Sequence, residues 1–241
     1  MNNITLAIPY YDNPKMLSHH FGYWQDYPKD IADKILVILI DDGSPKYPVK
    51  DVIKGHKLPF EIKVYRIKQN IPWNFPGVRN LAFTVAPDGW VFSTDIDHII
   101  PAESMKNLFS MILCTECYYV PARLWKGNLK KPEPMKRHGD SFILTRDMYW
   151  EVGGYDEDFA GHYGGSPFVF RRGLDKTGHR IELDNVWFLF FDIEAIEDAC
   201  VMEWDRQKYH MSKVKKLVRK ANLAGKYRPI HPLRFDWEQV A

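Results

Sequence analysis

Two carboxylates, Asp95 and Asp97, stand one residue apart in the stretch Trp90–Ile100, WVFSTDIDHII. On extended backbone that spacing points both to the same side. Trp90, Val91, Phe92 and Ser93 before them read as the buried end of a strand, so the pair falls where an apolar strand runs out. That edge is where open α/β sheets bind ligands. Two like charges taken out of water are costly unless something positive joins them. A hard divalent cation, Mg²⁺ or Mn²⁺, takes oxygen ligands and also holds phosphates. The competing reading makes Asp95 a turn cap and Asp97 the start of a helix.

A second pair, Asp41-Asp42, follows the apolar run Lys34–Ile40, KILVILI. A carboxylate there can accept from a base N–H or a ribose hydroxyl, the use made of the acidic residue in dinucleotide folds. The Asp-Gly-Ser that follows equally favours an Asx turn. Arg79 falls in the first turn of a predicted helix after a Pro-Gly break, where guanidinium and helix amides both favour phosphate. Its alternative is a surface salt bridge, and Asn80 beside it reads as a plain helix residue. Trp73, in a loop with two prolines, either stacks on a base or sugar or caps the core.

An alternating frame is needed to bring these residues together. Ile4–Pro9 reads as a first buried strand, and Lys15–Gln25 as a helix with Met16, Phe21 and Trp24 inward. KILVILI is the near-continuous run of a strand buried on both faces of a parallel sheet. Ile62–Ile67 reads as a third strand, and Gly77–Val85 as a helix with Val78, Leu81, Ala82 and Val85 on one face. Strands alternating with helices imply a mostly parallel α/β sheet flanked by helices. Further on, the pattern predicts a helix over Met105–Leu113, a strand over Cys117–Ala122 and a polar loop over Lys126–His138. A strand over Ser141–Thr145, a helix over Arg146–Val152, a Gly-rich acidic loop and a helix over Phe168–Thr177 follow. Strand character returns in Arg180–Phe191, and an amphipathic basic tail runs over Asp205–Lys226.

The chain has 241 residues, 45% hydrophobic and 27% charged, an ordinary soluble composition for one large or two small domains. A net charge of +2 gives no global signature of nucleic-acid binding. Three cysteines make no disulfide framework and fit a reducing compartment, and Cys114 and Cys117 read as buried thiols rather than a metal or redox site. Neither a signal peptide nor an apolar run of spanning length is visible, so the expected location is cytoplasmic.

In chain order, Ile8-Pro9-Tyr10-Tyr11, Asp41-Asp42-Gly43-Ser44, Gly77-Val78-Arg79-Asn80-Leu81-Ala82 and Thr94-Asp95-Ile96-Asp97 resemble the nucleotide-sugar half of a GT-A glycosyltransferase, nearest the family 2 type. Ser141–Arg146 and Glu151–Phe159 are similar to the acceptor-side segment of those enzymes and of the galactosyltransferase C-terminal domain. The resemblance covers roughly residues 4–175. It implies one GT-A domain over 1–241, with a nucleotide-sugar half at 1–100, an acceptor half at 101–204 and a basic tail at 205–241. It implies sugar transfer from a nucleoside-diphosphate sugar by a metal-dependent, hexosyltransferase-like enzyme using Mn²⁺ or Mg²⁺. The donor would be met by Pro9, Tyr11, Asp41, Asp42, Trp73, Asn74, Arg79 and Asp95. The metal would be met by Asp95, Asp97 and a late histidine, for which His210 is the candidate.

One departure from the family pattern matters. Inverting members follow the Gly-Gly region with Glu-Asp, whose Asp deprotonates the acceptor; here Gly164-Gly165 precedes Ser166-Pro167. Asp158 or His162 then becomes the candidate base. Otherwise the enzyme is retaining, or the chain binds a nucleotide sugar or carbohydrate without turnover. A nucleotidyltransferase would carry a Gly-rich phosphate loop near the N-terminus, and none is present. The acceptor is left unidentified, with a glycan or a modified nucleic-acid base among the candidates. The basic face of the tail, with Lys213, Lys215, Lys216, Arg219 and Lys220, is either a solvated helix face or a guide for a polyanion.

Overall fold

The computed structural model describes residues 3–200, 211–223 and 232–241. The first strands and helices alternate: β1 (Ile4–Tyr10), α1 (Pro14–Gln25), α2 (Lys29–Ala32), β2 (Ile35–Asp41), α3 (Val49–Val52), β3 (Glu61–Ile67), α4 (Phe75–Val85) and β4 (Trp90–Ser93). These four strands are parallel and lie in the order β3-β2-β1-β4, with Tyr10 opposite Asp41 and Ala7 opposite Ser93. Their C-terminal ends therefore share one edge, which carries both carboxylate pairs.

The continuous apolar run of β2 is explained by burial on both faces. Val37 and Leu39 pack with Met16, Phe21 and Trp24 of α1 on one side. Ile38 and Ile40 pack with Val78, Leu81 and Ala82 of α4 on the other. Each such fully buried side chain contributes about 1.5–3 kcal/mol, so register in this half is tightly fixed.

The rest of the chain extends the sheet with β5 (His98–Ile99), α5 (Ala102–Phe109), β6 (Cys117–Trp125), β7 (Glu133–Met135), β8 (Phe142–Thr145), α6 (Arg146–Val152), α7 (Ser166–Thr177), β9 (His179–Phe190), α8 (Met211–Leu223) and β10 (Trp237–Gln239). The order β10-β3-β2-β1-β4-β8-β6-β9-β5 adds antiparallel strands to a parallel core. β8 runs antiparallel to β4, setting Phe142 beside Ser93.

Three expectations are corrected here. The helix expected over Met105–Leu113 ends at Phe109, where the Ser110 hydroxyl donates back to the Asn107 carbonyl and Ile112 is left 98% exposed. The polar loop over Lys126–His138 contains β7, paired on β6, and the Arg137 guanidinium donates to the carbonyls of Val120 and Leu183. Cys114 is exposed, and only Cys117 of that pair is buried.

His20 ties α1 to the Asp95–Asp97 segment. Its Nε2 donates to the Ile96 carbonyl at 2.6 Å, and burial pushes the ring down to about 4. A depressed histidine contributes stability above its unfolded value near 6.5 and loses it as pH falls toward 4. The full loss is about 3 kcal/mol, the free energy of lowering the ring from near 6.5 to about 4. Urea midpoints measured at pH 7 and pH 4.5 should therefore separate less in His20→Gln than in the parent chain.

Candidate functional site

The loop that follows β4 is held from below. Arg79 of α4, 2% exposed, sends one terminal nitrogen to the Ser93 hydroxyl at 2.7 Å and the Thr94 carbonyl at 2.8 Å, and the other to the Asp95 carboxylate. This differs from the expected contact with base or phosphate: the guanidinium is spent inside the fold and aims Asp95. Asn80 is no plain helix residue either. Its amide nitrogen donates to the Tyr155 carbonyl and to Glu157, while its oxygen accepts from the Tyr149 hydroxyl and the Tyr155 amide. All its polar valences are used, so it fixes the acidic Gly-rich loop against α4.

Two histidines complete the centre. His98 Nδ1 lies 2.9 Å from Thr94 Oγ1, Thr94 Oγ1 lies 2.8 Å from Ser141 Oγ, and Ser141 Oγ lies 3.0 Å from His138 Nδ1. This relay occupies both Nδ1 atoms and leaves both Nε2 atoms facing carboxylates, His98 toward Asp97 Oδ1 at 3.6 Å and His138 toward Asp95 Oδ2 at 3.6 Å. One ligand atom each from Asp95, His98 and His138 lies within 4.8 Å of the other two.

The electrostatics suit a cation. Burial, then the neighbouring Asp95 charge, pushes the Asp97 carboxyl well above the usual carboxylate range. Burial pushes both imidazoles down, His98 furthest, so they stay neutral as metal ligands must. Asp97 Oδ1 and His98 Nε2 are both buried without a hydrogen-bond partner. A divalent ion would satisfy both at once, and the mixed carboxylate and imidazole donors suit Mn²⁺ better than Mg²⁺. His210 lies outside the described residues.

Above this centre is a cavity of about 210 Å³, lined by Trp73, Asp95, His138, Asp140, His162 and Ser166 among others. Trp73 sits at φ 49, in the left-handed region uncommon for a bulky residue, and meets Tyr163 edge-on at 4.7 Å. Asp140 accepts from the Tyr155 hydroxyl at 3.1 Å, and burial followed by the Asp95 charge raises its carboxyl to about 7. Arg123 stacks 4.0 Å over the Phe190 ring and brings positive charge toward Asp97 and Asp95.

On the nucleotide side the two acidic residues differ. Asp41, 1% exposed, accepts from the amides of Ser44 at 2.8 Å and Val49 at 3.0 Å. That is the Asx-turn alternative, and it removes Asp41 from the base contact expected of it. Asp42 accepts from Asn74 Nδ2 at 3.0 Å, and burial raises its carboxyl well above the ordinary value. Tyr11 accepts from Asn70 Nδ2 at 3.2 Å, and Pro9 lies in β1 opposite Ile40.

The two candidate bases also separate. Asp158 is gripped by Arg234 at 2.5 Å and Lys220 at 3.3 Å, and the Arg234 hydrogen bond leads in holding its carboxyl below the usual range. It is a poor proton acceptor, correcting its reading as a base. His162 lines the cavity, and burial, then the Lys213 charge, lowers its ring below the ordinary histidine value.

Neither a family model nor a curated protein matches the chain. Solved structures do. TarS 1-349 of S. aureus in complex with UDP-GlcNAc aligns with 92% of this chain and 66% of its own, at 15% identity and a TM-score of 0.64. Mannosyltransferase PcManGT from Pyrobaculum calidifontis, in complex with GDP-Man and Mn²⁺, aligns with 90% of this chain and 64% of its own, at 16% identity and 0.59. GalNAc-T7 with UDP, GalNAc and Mn²⁺ aligns with 80% and 44%, at 15% and 0.58. The chain thus spans just under two thirds of the first of these and less than half of the last. It has the GT-A fold.

Proposed function

We propose that the chain moves a sugar from a nucleoside-diphosphate sugar to an acceptor hydroxyl, with a divalent cation held by Asp95, Asp97, His98 and His138. The observation that carries this reading is the Thr94–Ser141 hydroxyl relay, which occupies both Nδ1 atoms and turns both Nε2 atoms toward carboxylates. Metal-binding histidines are oriented in this way. Support also comes from structural neighbours solved with nucleotide sugar, or with a nucleotide and Mn²⁺.

In this reading the first hundred residues hold the donor, with Asp42, Asn74, Tyr11 and Pro9 on the nucleoside side and Trp73 over the cavity. The chemistry supplied by the ion, when bound, is neutralisation of the diphosphate. Arg123 adds fixed positive charge beside it. His162, at the cavity wall, takes the role of accepting the acceptor's proton.

A second reading, a nucleotide-sugar-binding protein without turnover, is favoured by Ser166-Pro167 where inverting relatives carry Glu-Asp. A panel of UDP- and GDP-sugars with and without Mn²⁺ separates the two. Mn²⁺-dependent thermal stabilisation with release of nucleoside diphosphate supports the transferase. Stabilisation without release supports the binding protein, and neither effect with any donor rejects both.

Among the described residues no helix is long and apolar enough to cross a membrane.

A further inference from the structure

The helix α8 lies against the cavity rim and is charged on one side only. Its Val214, with Leu217 and Val218, packs on Phe159 and Val169. The approach is close: a Cβ at Gly165 would stand 2.6 Å from Val214 Cγ1 and 3.3 Å from Val218 Cγ2. Gly165 immediately precedes Ser166 and Pro167 of the cavity wall. Lys213 is near enough to His162 to help lower its ring.

The opposite side of α8 carries Lys213, Lys215, Lys216, Arg219 and Lys220, all exposed. Nearby acids are already used within the fold. Glu157 accepts from Asn80 and from the amides of Leu233 and Arg234, and Asp158 takes Arg234 and Lys220. Asp156 accepts the Asp158 amide as a cap. Lys213, Lys215, Lys216 and Arg219 therefore present an uncompensated positive face among the described residues. Tyr163, 42% exposed, lines the cavity and meets Trp73 edge-on, and Phe168, 44% exposed, follows Pro167 of the cavity wall with the Arg172 guanidinium 5.5 Å over its ring.

We propose that this face binds a nucleic-acid strand, its phosphates along the basic arc of α8 and an unpaired base on the Tyr163–Phe168 rim, so that the acceptor is a nucleotide of that strand. A basic track beside exposed aromatic rings is how single strands are held. A base must leave the stack to reach a cavity of this kind. The assignment as acceptor rests on the transferase reading; the strand binding does not.

The test is fluorescence anisotropy of a labelled 12-nucleotide oligodeoxythymidine with the full chain, free of metal and donor, from 50 to 300 mM NaCl. Affinity should fall steeply with salt. Lys213→Glu/Lys216→Glu should weaken binding at least tenfold at low salt and flatten the log–log slope by about 1.4, two contacts at about 0.7 each. Tyr163→Ala should weaken binding severalfold at unchanged slope, and the single strand should bind more tightly than a duplex of equal length. Affinity indifferent to the charge reversal overturns the proposal. So does inorganic polyphosphate competing equally per phosphate, which would mark a general polyanion site. Mn²⁺-dependent UDP and GDP titrations on the same samples keep the readings apart: nucleotide binding without strand binding rejects only this proposal, and the reverse rejects the transferase and with it the acceptor assignment, leaving the strand binding.

Discussion

Asp97→Ala is expected to abolish the Mn²⁺-dependent part of nucleoside-diphosphate binding, a loss of at least a hundredfold in affinity, while leaving the fold intact. The carboxylate faces His98 Nε2 at 3.6 Å, and neither atom has a hydrogen-bond partner. Burial and Asp95 both disfavour its charge. Its removal therefore relieves an electrostatic cost in the metal-free chain, and the melting temperature without metal should hold or rise. Isothermal titration of UDP and GDP with and without Mn²⁺, beside a thermal melt, reads both effects. Unchanged Mn²⁺-dependent affinity would remove Asp97 from the centre.

The second large effect is on stability. Arg79→Met should cost about 3–5 kcal/mol, the range for breaking a buried ion pair by removing one partner. Met keeps much of the stem volume but leaves Ser93, Thr94 and Asp95 without the nitrogens they accept from. Arg79→Lys should recover only part of this, because one ammonium cannot reproduce a planar fork reaching three acceptors. Urea midpoints with an unchanged m-value would measure the loss. A cost below 1 kcal/mol would show that Asp95 is not held by this clamp.

The parallel half was legible because its signals are local. KILVILI can be buried on both faces only inside a sheet, and Asp95-Ile96-Asp97 follows an apolar strand by simple counting. What could not be read depends on pairing between distant segments. His138 reaches the centre because Phe142 pairs with Ser93, which sets Ser141 beside Thr94. No periodicity in the polar stretch 126–138 encodes that. His98 was the more accessible signal, being the next residue after the carboxylate pair. The choice between Asp41 and Asp42 was hidden too, since an Asx turn and a ligand contact use the same residue types. Asp158 looked available until Arg234, from a segment far along the chain, took its carboxylate.

The pairing of β10 on β3 has a consequence for synthesis. Trp237 and Gln239 close the β3 edge opposite Ile67 and Tyr65, and Val64 donates to the Ala241 carbonyl at 2.7 Å. The neighbouring Gln69–Asp236 contact joins residues 167 apart in sequence. At a translation rate of about 5–20 residues per second, β3 leaves the ribosome roughly 10–30 s before the strand that covers it. During that interval its edge is open to any other extended chain. Glu61, Lys63 and Arg66, placed within β3 itself, put charge along that edge, which disfavours pairing with another chain.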